Sequence, residues 1–166
     1  MTLFANDGRT RTVMHISFVL LSWLSMLTLP SLPYGIPLLW CACCYWAQHG
    51  SDNSLLVTST FVGFVFDATQ GLTFGTWALI LAATFFVGTG VRSVLVGRPF
   101  WIRWLAILPM LLVGGMLGWL LTILGQSSTV SAGPMAITIL MAFALYPSIS
   151  ILLGYLVRKF ASQGVG

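Results

Sequence analysis

The chain has 166 residues, of which 58% are hydrophobic and only 6% are charged, and its mean hydropathy is +0.97. Soluble domains carry about 25% charged residues, so this composition excludes a soluble enzyme or binding module and predicts an integral membrane protein. Seven Lys and Arg against three Asp give a formal net charge of +4. The basic residues sit at the ends of apolar segments, which indicates membrane topology rather than nucleic-acid binding.

Six apolar segments follow one another along the chain. A spanning helix needs roughly 17–25 apolar residues, so there is room for six short spans and little else. The predicted spans cover residues 13–29, 34–48, 54–70, 72–96, 101–124 and 134–157. Proline-rich, polar or basic stretches separate most of them. We therefore predict an all-α polytopic membrane protein, with one six-helix transmembrane domain over residues 1–166.

The first segment, Val13–Leu29, follows a basic stretch, as a signal peptide does. However, no small-x-small cleavage site follows it, and the next segment, SLPYGIPLLW, re-enters the membrane. We predict that this segment is retained as the first helix.

The basic residues determine the predicted orientation. With six spans every Lys and Arg falls on one side, which the positive-inside rule identifies as the cytoplasm, whereas five spans would divide them. Both termini are therefore predicted to be cytoplasmic. The predicted topology anchors are Arg9, Arg11, Arg92, Arg98, Arg103, Arg158 and Lys159.

The second segment carries three cysteines close together, at Cys41, Cys43 and Cys44. Zinc sites usually use four ligands with a looped spacing, and a buried cysteine behaves as a small hydrophobic residue. We therefore expect packing and no metal. His15 and His49 do not form the paired set within helices that is typical of haem-binding subunits, so no cofactor is expected.

The stretch GFVFDATQGLTFGTW runs from the third segment into the fourth and contains the one acid inside a predicted span, Asp67. Gly63, Asp67, Gly71 and Gly75 are spaced four apart and would share one face of a continuous helix. One interpretation is helix packing, with Asp67 capping the start of the fourth helix. The other makes Asp67 and the nearby Gln70 a functional contact, because acids within the membrane are rare and normally functional.

The small-residue spacing of Gly71-x-x-x-Gly75 allows two helix backbones to approach closely. It recurs in the fifth segment at Gly114 and Gly118. We predict that these glycines pack helices together or contact a partner.

Catalysis by this chain is not expected. No G-x-S-x-G occurs, paired carboxylates cannot form within the predicted spans, and no glycine-rich phosphate loop precedes a soluble helix. The sequence predicts a protein that is not an enzyme.

The chain resembles MreD, the family of bacterial rod shape-determining membrane proteins, in its size, its six short helices and its cytoplasmic ends. The pattern GFVFDATQGLTFGTWALILA carries the resemblance, and its matching positions are Gly63, Asp67, Gly71, Leu72 and Gly75. The second span is also similar in its proline followed by aromatic residues, at Pro37, Trp40, Tyr45 and Trp46. The chain departs from many relatives in having ATQGLTFG where they have a Ser-Pro or Thr-Pro turn.

The resemblance implies a non-enzymatic scaffold of the cell-elongation complex in the bacterial cytoplasmic membrane. It implies direct binding to MreC, a bitopic periplasmic protein, and indirect links to the class B penicillin-binding transpeptidase, RodA and MreB. No nucleic acid, metal or cofactor is implied, and membrane lipids surround the protein. The family fold is similar to the S components of energy-coupling-factor vitamin transporters, so the resemblance implies an S-component-like helical bundle.

Two other functions remain open at this point. A substrate-binding S component would share the helix count, but many of those proteins dock their transport partner through an A-x-x-x-A face on the first helix. The first segment here contains no alanine. An anchor subunit of a respiratory complex is the other alternative.

Overall fold

The computed structural model describes residues 8–26, 37–50, 53–70, 75–125 and 132–162. All regular secondary structure in these ranges is helical. The helices are α1 (Gly8–Met26), α2 (Leu38–His49), α3 (Asn53–Gln70), α4 (Thr76–Leu95), α5 (Phe100–Leu105), α6 (Ile107–Gly125) and α7 (Gly133–Ser162). Each predicted span overlaps one helix, except the fifth, which is divided between α5 and α6 at Ala106.

Three helical stretches in the described part of the chain are long and apolar enough to cross a membrane. They are Thr76–Leu95, Phe100–Gly125 and Gly133–Lys159, while α1 and α3 contain the shorter apolar stretches His15–Ser25 and Ser54–Thr69. The all-helical class and the presence of helices of membrane-spanning length are therefore confirmed. The number of six spans and the orientation of the termini stay predictions.

Helix α2 lies in the middle of the bundle. Every residue from Leu39 to Gln48 is buried, and the helix contacts α1, α4 and α7. The three cysteines are buried free thiols on this helix. The Sγ atoms of Cys41 and Cys43 lie 3.3 and 3.5 Å from backbone carbonyl oxygens of α7 and α4. Small side chains at these positions allow neighbouring backbones to approach α2 closely.

Helix α4 packs against α2, α3 and α6. The α4–α6 contact depends on two of the predicted packing glycines. A Cβ atom at Gly114 would lie 2.7 Å from Thr84 Oγ1 and 2.9 Å from Trp40 Cζ2. A Cβ atom at Gly118 would lie 2.6 Å from Ile80 Cδ1. The structure thus places both glycines in contacts within this chain.

The outer surface of the bundle is apolar. Phe86, Val96 and Leu124 are 76%, 75% and 74% exposed, and many other large hydrophobic side chains also point outward. Contiguous exposed apolar surface on this scale is rare on soluble monomers. It suits a bundle whose surroundings are lipid.

We expect Gly114→Ala to lower the free energy of unfolding by about 1–3 kcal/mol, because the added methyl group overpacks the contact with Thr84 and Trp40. The matched control is Gly90→Ala on α4, where the added Cβ would meet no described atom within 4 Å. That variant should be neutral or slightly stabilising. Thermal denaturation in a mild detergent measures both. Equal melting temperatures for the two variants would contradict the close α4–α6 contact.

Candidate functional site

The candidate site is the connection between α3 and α4. Asp67 lies in the last turn of α3, and its side chain is only 1% exposed. Helix α4 begins at Thr76 rather than at residue 72 as predicted. Gly71 and the side chain of Gln70 lie outside the described residues, so their predicted roles are not addressed by the structure.

The Asp67 carboxylate accepts hydrogen bonds from the backbone at the start of α4. Oδ2 lies 2.9 Å from the N–H nitrogen of Gly75, and the Trp77 nitrogen lies 2.9 Å from Oδ1 and 3.1 Å from Oδ2. The first N–H groups of a helix have no partner within the helix, and they form the positive end of its dipole. Asp67 therefore caps α4 from the preceding helix, as the first interpretation predicts.

Gly75 is the N-cap residue of α4 and has no side chain with which to cap it. Its φ of 97° lies in the left-handed region, which residues with a Cβ atom rarely adopt. The helix is thus not continuous through the four predicted positions, and Gly75 does not share a helical face with Gly63 and Asp67. The reason is that the chain must reverse between α3 and α4, and Gly75 supplies the backbone conformation for that reversal.

Gly63 lies one helical turn before Asp67 and packs against the same segment. A Cβ atom there would lie 2.6 Å from both the backbone nitrogen and the Cα atom of Ala78. Backbone atoms cannot move aside as a flexible side chain can. Gly63 therefore permits the close approach that brings the Asp67 carboxylate within hydrogen-bonding distance of α4.

An aromatic cluster of Trp40, Phe66 and Trp77 lies beside the capped turn. The Trp77 ring packs edge-to-face on Phe66, with ring centres 5.2 Å apart, and on Trp40, with centres 6.0 Å apart. Trp40 also donates a hydrogen bond of 2.9 Å to Thr84 Oγ1. These contacts join α2, α3 and α4, and Trp40 is too far in sequence from Phe66 and Trp77 for hydropathy to predict the cluster.

The polar groups of this arrangement are engaged in holding the turn. Within the described ranges, no three His, Cys, Asp or Glu side chains lie close enough together to hold a metal ion. The backbone N–H groups of α4 already occupy both carboxylate oxygens of Asp67. Ala68 and Thr69, the next two residues, have exposed side chains. They are the described part of this turn that another molecule can reach.

The basic residues that the structure describes lie at the other end of the bundle. Helix α3 separates Asp67 from the end of α2 by about 20 Å. There, Arg92 Nη1 lies 2.6 Å from the carbonyl oxygen of Gly50, and Arg103 Nη1 lies 3.4 Å from His49 Nε2. Arg98, Arg158 and Lys159 are exposed near this end. The side chains of Arg9 and Arg11 lie outside the described residues.

His49 follows the predicted second span and is half-buried between these cations. Burial is the largest influence on its imidazole and lowers its pKa, and the positive charges of Arg103 and Arg92 lower it further. A hydrogen bond to the Tyr45 carbonyl acts in the opposite direction. The lowered pKa favours the neutral form of the His49 imidazole.

Comparisons of the chain with protein-family models, with curated proteins and with solved structures find no match.

Asp67→Leu should lower the free energy of unfolding by roughly 2–3 kcal/mol, because it leaves buried N–H groups at the start of α4 without an acceptor. Asp67→Asn should cost less, since its Oδ1 still accepts one hydrogen bond. Thr69→Val on the exposed side of the same turn is the control, with an expected change within about 0.5 kcal/mol. Thermal denaturation in detergent compares the three. Wild-type stability in Asp67→Leu would show that the cap is dispensable.

Proposed function

We propose that this chain is a non-enzymatic, MreD-like scaffold subunit of the bacterial cell-elongation complex. In this proposal it lies in the cytoplasmic membrane, binds MreC, and helps to position peptidoglycan synthases that maintain rod shape. The observation that carries the proposal is that the described motif residues serve one structural unit. Gly63 permits the α3–α4 contact, Asp67 caps α4, and Gly75 turns the chain.

These three residues act in one turn, and this supports the resemblance because it explains why the motif has a glycine or an acid at each of these positions. Spacing alone is weak support, since glycine is common in membrane helices. A G-x-x-x-D followed by a glycine at the start of the next helix is a more restrictive requirement. It combines a close backbone approach, a buried acceptor and a left-handed residue in one turn.

The proposal includes six spans with both termini in the cytoplasm. Arg92, Arg103 and the exposed Arg158 lie at the opposite end of the bundle from Asp67, and this separation supports the predicted orientation. The positive-inside rule then puts the Asp67 turn on the periplasmic side. That is the side on which MreC has its soluble part.

The geometry of the turn also refines how MreC would be recognised. Because the Asp67 carboxylate is buried and bonded to α4, the proposed contact with MreC is made by exposed neighbours such as Ala68 and Thr69. Asp67 then acts as a positioning residue, which holds the turn in the shape that the partner recognises.

We predict that affinity purification of the tagged protein in a mild detergent recovers MreC and cell-wall synthases, as identified by mass spectrometry. Thr69→Trp should reduce MreC recovery about tenfold, because a bulky side chain obstructs the periplasmic turn; this loss corresponds to about 1.4 kcal/mol. Ser93→Trp, on the exposed surface near the opposite end of α4, is the matched control and should retain it.

Undiminished MreC recovery with Thr69→Trp, Asp67→Leu and Gly75→Leu would remove the site assignment. Failure to recover MreC with the wild-type protein would remove the proposed function. A vitamin that strongly raised the melting temperature of the purified protein would instead support the S-component alternative, since ligand binding stabilises the native state.

A further inference from the structure

A cavity opens at the basic end of the bundle, between α2, α5 and α7. Its volume is about 210 Å³, and His49, Arg103 and Arg158 are among the residues that line it. Tyr45, Phe100 and Ile151 contribute aromatic and apolar surface to the same walls. The cavity is distinct from the Asp67 turn, which lies at the far end of α3.

Among the residues that the structure describes, the charges around this cavity are unbalanced. Two guanidinium groups, of Arg103 and Arg158, line one space, and none of the described lining residues carries a carboxylate. Asp67 is the only acid in the described ranges and lies at the opposite end of the bundle. Like charges close together repel each other, and an anion between them would remove that repulsion.

Among the described residues, the contacts that hold Arg103 in place use only part of its guanidinium group. Its Nε donates to the carbonyl oxygen of Arg98 at 3.2 Å, and its Nη1 donates to His49 Nε2 at 3.4 Å. His49 Nδ1 lies 2.9 Å from the Tyr45 carbonyl oxygen, which can only accept, so Nδ1 carries the proton and Nε2 accepts from Arg103. The His49 ring also stacks on Tyr45, with centres 4.3 Å apart.

Arg158 approaches from α7 in a similar way. Its Nε donates to the carbonyl oxygen of Gly154 at 3.2 Å, one turn earlier on the same helix. Among the described residues, this contact leaves its terminal nitrogens as donors toward the cavity. Paired guanidinium groups with donors in a planar fork bind phosphate and carboxylate groups through short, charge-assisted hydrogen bonds.

The rim of the cavity is apolar. Ile151 is 66% exposed and Phe100 is 47% exposed, so hydrophobic surface continues from the cavity to the outside of the bundle. Trp101 on α5 is 63% exposed, and exposed tryptophans are typical of the membrane–water interface. Basic pockets between helices on the cytoplasmic side are suited to anionic lipid headgroups.

We propose that this cavity binds the phosphate group of an anionic phospholipid from the cytoplasmic leaflet. Arg103 and Arg158 donate to the phosphate oxygens, and an acyl chain runs along Ile151 and Phe100. A soluble phosphate shares the headgroup chemistry but would not use the apolar rim. The assignment to the cytoplasmic leaflet rests on the proposed orientation of the chain, whereas lipid binding itself does not depend on MreC.

The test measures the stability and lipid content of the purified full-length protein after delipidation. Its melting temperature is followed while phosphatidylglycerol, phosphatidylcholine or inorganic phosphate is added, and native mass spectrometry counts retained phospholipids. Phosphatidylglycerol should raise the melting temperature in a saturable manner, and the other two should not. Each of Arg103→Gln and Arg158→Gln should weaken phosphatidylglycerol binding roughly tenfold to a hundredfold.

The controls remove a positive charge from the same end of the bundle without touching the cavity. Arg98→Gln and Lys159→Gln should keep the wild-type response, because neither side chain lines the cavity. Arg158→Lys retains the charge without the planar fork, so it should bind with intermediate affinity. Arg158 is exposed, so its substitution leaves the fold intact, and circular dichroism verifies this for every variant.

Three results would overturn the proposal. An equal response to phosphatidylcholine would show that the headgroup charge is not recognised. An equal response to inorganic phosphate would replace the lipid by a soluble anion. Wild-type binding of phosphatidylglycerol by a variant that carries both Arg103→Gln and Arg158→Gln would exclude the cavity as the site.

Discussion

The packing of α4 depends on the hydrogen bonds that its first backbone N–H groups donate to the carboxylate of Asp67. A carboxylate taken out of water loses its hydration, and the free N–H groups at the start of a helix lose theirs when they are buried. Placing the two together compensates both losses, and the positive end of the α4 dipole adds to the attraction. Helix α4 contacts α2, α3 and α6. The residue at which α4 begins therefore determines how it packs against these three helices.

Close packing around α4 depends on residues that lack side-chain volume. Gly63 lets α3 approach the backbone of Ala78, and Gly114 leaves space for Thr84 and Trp40. In a membrane the hydrophobic effect does not drive helices together, so close van der Waals contact and buried hydrogen bonds have to do so. The hydrogen bond from Trp40 to Thr84 illustrates both, because it fits in the space that Gly114 leaves open.

The helices were predictable because each is a long apolar run between recognisable breaks. The division between α5 and α6 at Ala106 was not, since the surrounding sequence is apolar on both sides. The start of α4 was also misplaced, because residue 72 is apolar while the left-handed Gly75 actually separates the helices. Hydropathy indicates which stretches are apolar enough for lipid. It does not indicate where the backbone changes direction within or between such stretches.

The sites were predictable to different degrees. Asp67 stood out as a lone acid, and its capping role was one of two interpretations, since the sequence does not show which N–H groups its carboxylate contacts. The cavity was not predicted. Arg103 and Arg158 appeared as separate topology signals, because they are far apart in sequence and only the packing of α5 and α7 around His49 brings them together.

The cap of α4 is also local in sequence, and this has a consequence for biogenesis. Asp67 reaches Gly75 and Trp77, which follow it by eight and ten positions. Contacts between such near neighbours form early, because closing a short loop costs little entropy. Helices α3 and α4 can thus pair early, as a hairpin. The Asp67 carboxylate then has its hydrogen bonds before the other helices pack around it.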